Sequence, residues 1–274
     1  MLGPAPPTRP PSALPPPAAS FTSGQITFGA LGDSFYEYLL KGWVQGGRSE
    51  PYLRSMYDKA MDGMAALLLK ESTPERLAFI AEFGSANNMK MDHLVCFMPG
   101  LLALGAHKMP PSTRRTRDIK VAKALMYTCW QMYARQPTGI APEYVSFYGR
   151  DFSVPPEVPY YILRPETVES LFILQQLTGD QVYRDWGHAI MTSIERYCKT
   201  TYGYGALPDV RDTSRGPDDK MESFFLAETL KYLYMLQAPL EDHKIDLDKY
   251  VFNTEAHPLL IFDGEQQKLS HSAG

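Results

Sequence analysis

The chain has 274 residues, 44% of them apolar and 12% aromatic, enough for one sizeable core. A net charge of −4 carries none of the basic footprint of a nucleic-acid binder. No apolar run reaches the ~18 residues of a membrane span, and the start has no apolar signal-peptide region.

Eight of the 23 prolines fall in the first seventeen residues. Residues 1–20 are therefore read as a low-complexity, disordered or polyproline-like opening, and 265–274 as a disordered tail. Between them, residues 21–264 read as one domain. Apolar spacing predicts helices over Ser34–Gln45, Tyr52–Lys70, His93–Leu104, Arg117–Arg135, Glu166–Thr178, Asp180–Thr200 and Met221–Gln237. Met56, Ala60, Met64, Leu67 and Leu68 illustrate the period. Leu77–Phe83, Glu143–Phe147 and Tyr202–Arg211 suit short hairpins. Successive helices with such insertions predict an all-α toroid of helical hairpins.

Four segments concentrate carboxylates where helices begin or turns close. Asp33-Ser34-Phe35-Tyr36-Glu37 opens one helix, with Asp33 read as its N-cap and Glu37 one turn on. Leu163-Arg164-Pro165-Glu166-Thr167-Val168-Glu169 opens another, with Pro165 read at the first helical position. Glu166 and Glu169 share a face near the positive end of that helix. Met221-Glu222-Ser223-Phe224-Phe225-Leu226-Ala227-Glu228 mixes aromatics with carboxylates, and Phe252-Asn253-Thr254-Glu255-Ala256-His257-Pro258 reads as a loop or strand end. Each also reads as ordinary capping, amphipathic or turn structure. Together they suit a sugar, a cation or both. The cysteines are Cys96, Cys129 and Cys198, an odd count that spacing cannot pair. None of Asn87, Asn88 and Asn253 begins a glycosylation sequon.

These segments, with Lys90–Phe97, Gln136-Pro137-Thr138-Gly139 and Lys220–Tyr234, resemble glycoside hydrolase family 47, the class I α-1,2-mannosidases that trim N-linked glycans. The likeness runs over roughly 21–264 in the family's order. It implies an (α/α)7 barrel, of which only about half is expected here. Such a half is expected to leave apolar surface at its open edge, which weakens it in isolation. It also implies calcium-dependent, inverting hydrolysis of terminal α-1,2-linked mannose in the lumen of the endoplasmic reticulum or Golgi. Glu166 matches the general base, and Asp33 an acid or assisting carboxylate. The family's other acid candidate has no counterpart in this sequence. Thr254 matches the direct ligand of Ca2+, with Glu37, Glu143 and Glu169 among carboxylates that orient its waters. Glu228 and Glu255 match further acidic positions of the site, and Phe224, His93 and Arg164 match sugar contacts. Cys96 and Cys129 match a family disulfide, leaving Cys198 free. Leu31 stands where endoplasmic-reticulum-type members carry arginine and Golgi-type members leucine. The expected partners are high-mannose N-glycans, with no nucleic acid. A membrane anchor is expected in a full-length protein but not in this sequence. The alternative reading is a non-catalytic, mannosidase-like glycan-binding or quality-control protein, or an inactive fragment.

Overall fold

The computed structural model describes residues 24–84 and 89–262. The proline-rich opening, the tail from 265, Asn87 and Asn88 lie outside the described residues. Two helices, α1 (Asp33–Gln45) and α2 (Pro51–Leu67), pack as an antiparallel pair. A hairpin of β1 (Leu69–Glu71) and β2 (Ala78–Ile80) follows. Next come β3 (Lys90–Asp92), a 3-10 turn (His93–Phe97) and the pair α3 (Met98–Ala106) and α4 (Thr113–Ala134). After β4 (Tyr144–Ser146) come α5 (Glu166–Thr178) and α6 (Val182–Tyr197). A π-helical stretch (Phe225–Leu230) leads into α7 (Lys231–Gln237) and the short α8 (Leu240–His243). The chain closes with a hairpin of β5 (Tyr250–Phe252) and β6 (Pro258–Leu260).

Composition sorts the helices into two layers. All nine residues of α3 are buried, and Thr167–Leu174 of α5 are buried without a break. Helices apolar all round belong inside. By contrast α2 buries Tyr57, Met61 and Met64, and α6 buries Tyr183, Gly187, Ile190 and Ile194. That three-and-four spacing makes one apolar stripe per helix, which faces inward. The inner helices touch in sequence, α3 on α5 and α5 on α7. Glycine permits the first contact: a Cβ on Gly100 would sit 3.1 Å from the Ser170 Cα. Ser170 Oγ bridges the same seam, accepting from the Gly100 N–H at 2.9 Å and donating to the Cys96 carbonyl.

The predicted helices are all present, with instructive differences. α5 runs over Glu166–Thr178 as read, stopped by Gly179 in the left-handed region (φ 70°). α4 begins at Thr113 rather than Arg117, because Ser112 caps it by accepting from the Arg115 N–H at 3.2 Å. The helix expected over Tyr52–Lys70 stops at Leu67, and Leu69–Glu71 turn into β1. Over Met221–Gln237 the regular helix is replaced partly by π turns. Glu143–Phe147 contributes β4, which pairs with distant β3 instead of forming a local hairpin. Tyr202–Arg211 forms only isolated bridges, Lys199 with Tyr204 and Tyr161 with Leu207. The Cys96–Cys129 disulfide is present, Cα atoms 5.9 Å apart, and Cys198 is free and buried. It ties the 3-10 turn to α4. An apolar groove of about 730 Å3 opens outside α1, between Gln25–Thr27, Ala30–Gly32, Phe35, Tyr36 and Phe83. Among the described residues, no helix is long and apolar enough to cross a membrane.

Candidate active site

The start of α1, the 3-10 turn, the start of α5, the π stretch and the β5–β6 turn converge on one pocket of about 190 Å3. Its wall carries Asp33, Glu37, Glu166, Glu169, Glu228, Thr254 and Glu255, with Leu94, Phe97, Pro165 and Phe224 as the apolar part. Each acidic segment singled out in the sequence thus reaches the same cavity.

The local chemistry differs from the expected caps. Asp33 is the first residue of α1, not its N-cap; Gly32 takes that place. The Asp33 carboxylate accepts from the Ser34 N–H at 2.9 Å. Pro165 is the N-cap residue of α5, and its carbonyl accepts from the Glu169 N–H at 2.9 Å. Thr254 and Glu255 ride the tip of a hairpin. Asn253 builds that tip by accepting, through Oδ1, from the N–H groups of Glu255 (3.0 Å) and His257 (2.8 Å). The Tyr38 hydroxyl accepts from the Thr254 N–H at 3.2 Å. Left-handed backbone flanks three of the segments: Leu31 (φ 71°), Leu163 (φ 67°) and Ala256 (φ 58°). Each costs about 1–2 kcal/mol relative to glycine, the kind of strain that gathers at working sites.

Glu166 is held from behind. His93 Nδ1 lies 2.8 Å from its Oε2, and His93 Nε2 lies 2.7 Å from the Tyr133 hydroxyl. With Nδ1–H donating to the carboxylate, Nε2 is the acceptor for Tyr133. His93, expected as a sugar contact, is fully buried and orients Glu166. Arg164, expected to touch sugar, grips Glu143 bidentately, Nε to Oε1 at 2.9 Å and to Oε2 at 2.8 Å, with Nη2 also on Oε1. Neither Arg164 nor Glu143 is on the pocket wall.

Deeper in, Glu37 and Glu169 are buried, and Lys41 lies between them at 2.5 and 3.2 Å. Sequence reasoning missed Lys41. Burial pushes the Glu169 carboxyl up, Lys41 opposes this, and Glu37 and Glu166 add to the rise. Burial, followed by the charges of Glu169, Glu166, Glu255 and Glu37, pushes Glu228 up to about 8. Asp33 is raised as well, by burial first and then by Glu37 and Glu166, against the Ser34 N–H. The pocket wall thus sets six carboxyl groups against one lysine.

An inner ring of helices that delivers carboxylates to one cavity is the arrangement of a helical-toroid hydrolase. Residues 6–261 match the description Glycosyl hydrolase family 47, and the chain belongs to that family. It is 47% identical over 249 residues to the endoplasmic reticulum mannosyl-oligosaccharide 1,2-alpha-mannosidase of Homo sapiens, covering 87% of this chain and 35% of that protein. It is 48% identical over 241 residues to the mannosyl-oligosaccharide 1,2-alpha-mannosidase MNS1 of Arabidopsis thaliana, covering 86% of this chain and 41% of that protein. The solved alpha-1,2-mannosidase from Trichoderma reesei superposes with a TM-score of 0.77 at 30% identity, over 86% of this chain and 52% of that one. The fold is thus all-α, part of an (α/α)7 barrel with short strand hairpins. The chain spans well under half the length of these curated relatives.

Proposed function

We propose that this chain supplies catalytic carboxylates for a mannosyl-oligosaccharide 1,2-α-mannosidase, which releases terminal α-1,2-linked mannose from high-mannose N-glycans with inversion. The observation that carries this reading is the arrival of Asp33, Glu166 and Thr254 at one pocket. Inversion needs one carboxyl to protonate the leaving oxygen and another to activate water from the opposite face. Glu166, aligned by His93 and Tyr133, is the base that takes the proton from water. Asp33, raised by burial, is suited to keep or share a proton on the acid side. Phe224 offers the pocket an apolar ring for a sugar face, and Glu228 and Glu255 offer acceptors for its hydroxyls.

The donor set fits Ca2+. It consists of hard oxygens, crowded enough that burial and mutual repulsion raise Glu228 and Asp33. Among the described residues, no three acidic or histidine side chains gather as direct ligands. The reading has the cation held by Thr254 and by water, with Glu37 and Glu169 behind. Glu143, gripped by Arg164, is less suited to that shell. When bound, such a cation makes nearby water more acidic. The lumen of the endoplasmic reticulum or Golgi suits both substrate and disulfide.

The test is hydrolysis of an α-1,2-linked mannobiose, with the product anomer read by NMR. It is run on this chain and on this chain joined to the first half of a family domain. The joined protein is expected to release inverted mannose in a chelator-sensitive way, and this chain alone little or none. A joined protein that binds the disaccharide without turnover supports the glycan-binding alternative; retention of configuration overturns the mechanism.

A further inference from the structure

Glu37 and Lys41 sit four apart on α1, the spacing of an ordinary surface ion pair. Here the lysine is 4% exposed. An ammonium has three N–H donors, and Lys41 finds three acceptors: Glu37 Oε1 at 2.5 Å, Glu169 Oε1 at 3.2 Å and the Asn253 carbonyl at 3.4 Å. They belong to α1, α5 and the turn of the last hairpin. Both carboxylates meet Lys41 through Oε1, so Oε2 of each lies outside the contact. Asn253 immediately precedes Thr254. Among the described residues, no other lysine or arginine pairs with a carboxylate of this pocket wall.

We propose that Lys41 is the positioning residue of this site, its ammonium setting the orientation of Glu37 and Glu169 and the seating of the hairpin tip that carries Thr254. It rests on the reading of the pocket as a calcium-assisted glycosidase site. A buried lysine that served only packing would join any neighbours. This one joins three of the elements whose oxygens line the pocket. Its contacts span 128 residues to Glu169 and 212 to Asn253, and it joins Tyr38 on Thr254 and Lys231 on the Ala256 carbonyl as a side-chain tie to the tip.

The test compares the 274-residue chain with Lys41→Met and Lys41→Arg, by amide hydrogen exchange and by calcium titration calorimetry. In Lys41→Met the amides of residues 250–260 are expected to exchange about tenfold faster, while those of β1 and β2 hold their wild-type rates. Lys41→Arg is expected to recover part of that protection. Calcium affinity is expected to fall about tenfold in Lys41→Met. The direction matters, because removing a cation from an acidic pocket would by charge alone strengthen calcium binding. Hairpin exchange within about twofold of wild type, or equal or tighter calcium binding, overturns the proposal. Wild-type chain that binds no calcium defeats the cation reading, and hairpin exchange then decides on Lys41 by itself. If Lys41→Met does not fold, Glu37→Gln/Lys41→Met/Glu169→Gln replaces it. That variant leaves no charge at these three positions; a loosened hairpin in it supports the proposal, and wild-type protection overturns it.

Discussion

Five of the six carboxylates of the pocket fall into two groups with opposite physics. At the floor, Glu37 and Glu169 are buried and share a lysine. Toward the rim, Asp33, Glu166 and Glu255 are more exposed, and none pairs with a lysine or arginine among the described residues. Removing a floor carboxylate takes a buried acceptor from Lys41. Removing a rim carboxylate strands no lysine or arginine. The floor is therefore where acidic residues hold the fold together, and the rim is where they are available for chemistry.

The sharpest way to break this division is at Glu166. In a protein completed with the first half of the barrel, Glu166→Gln should lower kcat by about 10^3-fold or more, since it removes the proposed base and keeps the shape. Its melting temperature should stay within about 2 °C of wild type, on the scale of well under 1 kcal/mol. A large loss of stability would place Glu166 with the floor.

Glu169→Ala should do the reverse, costing about 1–3 kcal/mol in chemical denaturation because Lys41 keeps Glu37 but loses a buried acceptor. Glu255→Ala, at the exposed tip, should cost within about 0.5 kcal/mol. Equal costs would erase the distinction.

Acidity offers a gentler probe. Glu228 is raised to about 8 in the fold, against an ordinary value of 4.5. Between those values the folded chain holds a proton that the unfolded chain has lost. Its stability should therefore fall as pH rises from about 4.5 to 8 and level off above, by linkage. The measurement is thermal melting in chelator. Added calcium should flatten the slope, because it compensates the ionised carboxylates. A slope of the opposite sign, or one insensitive to calcium, would mean that the pocket is not the group responsible.

The smallest expected effect lies at the strained edge. Leu31 is fully exposed at φ 71°, and Leu31→Gly should be neutral or stabilise by up to about 1 kcal/mol, because relief of strain outweighs the added freedom of the unfolded chain. Loss of stability would show that the leucine side chain makes a contact worth more than its strain.

Much of this arrangement was legible in the chain itself. The period and end signals of Glu166–Thr178 delimit α5 as observed, and the acidic segments that converge were the ones singled out. What escaped depends on contacts between distant residues. Glu37 and Lys41 look like a surface pair until α5 and the last hairpin cover them. His93 looks like a polar ligand until β3 finds β4 and its N–H donates to the Glu143 carbonyl at 2.8 Å. The π turns around Glu228 leave no mark in a sequence whose apolar spacing suits an α-helix. The left-handed leucines are equally silent, since leucine gives no warning of a positive φ. The cysteine pairing came from resemblance, because three cysteines admit no unique pair.

The hairpin tip has a consequence for how the molecule is made. Tyr38 meets Thr254 across 216 residues, and Lys41 meets Asn253 across 212. During synthesis both ends of those contacts exist only once the ribosome has released the last stretch of the fold. Every helix can be in place while the pocket still lacks Thr254 and one of its carboxylates. A product stopped just short of Tyr250 would carry the whole helical framework and no finished site. It would pass a measurement of helix content with Thr254 and Glu255 missing from the pocket wall.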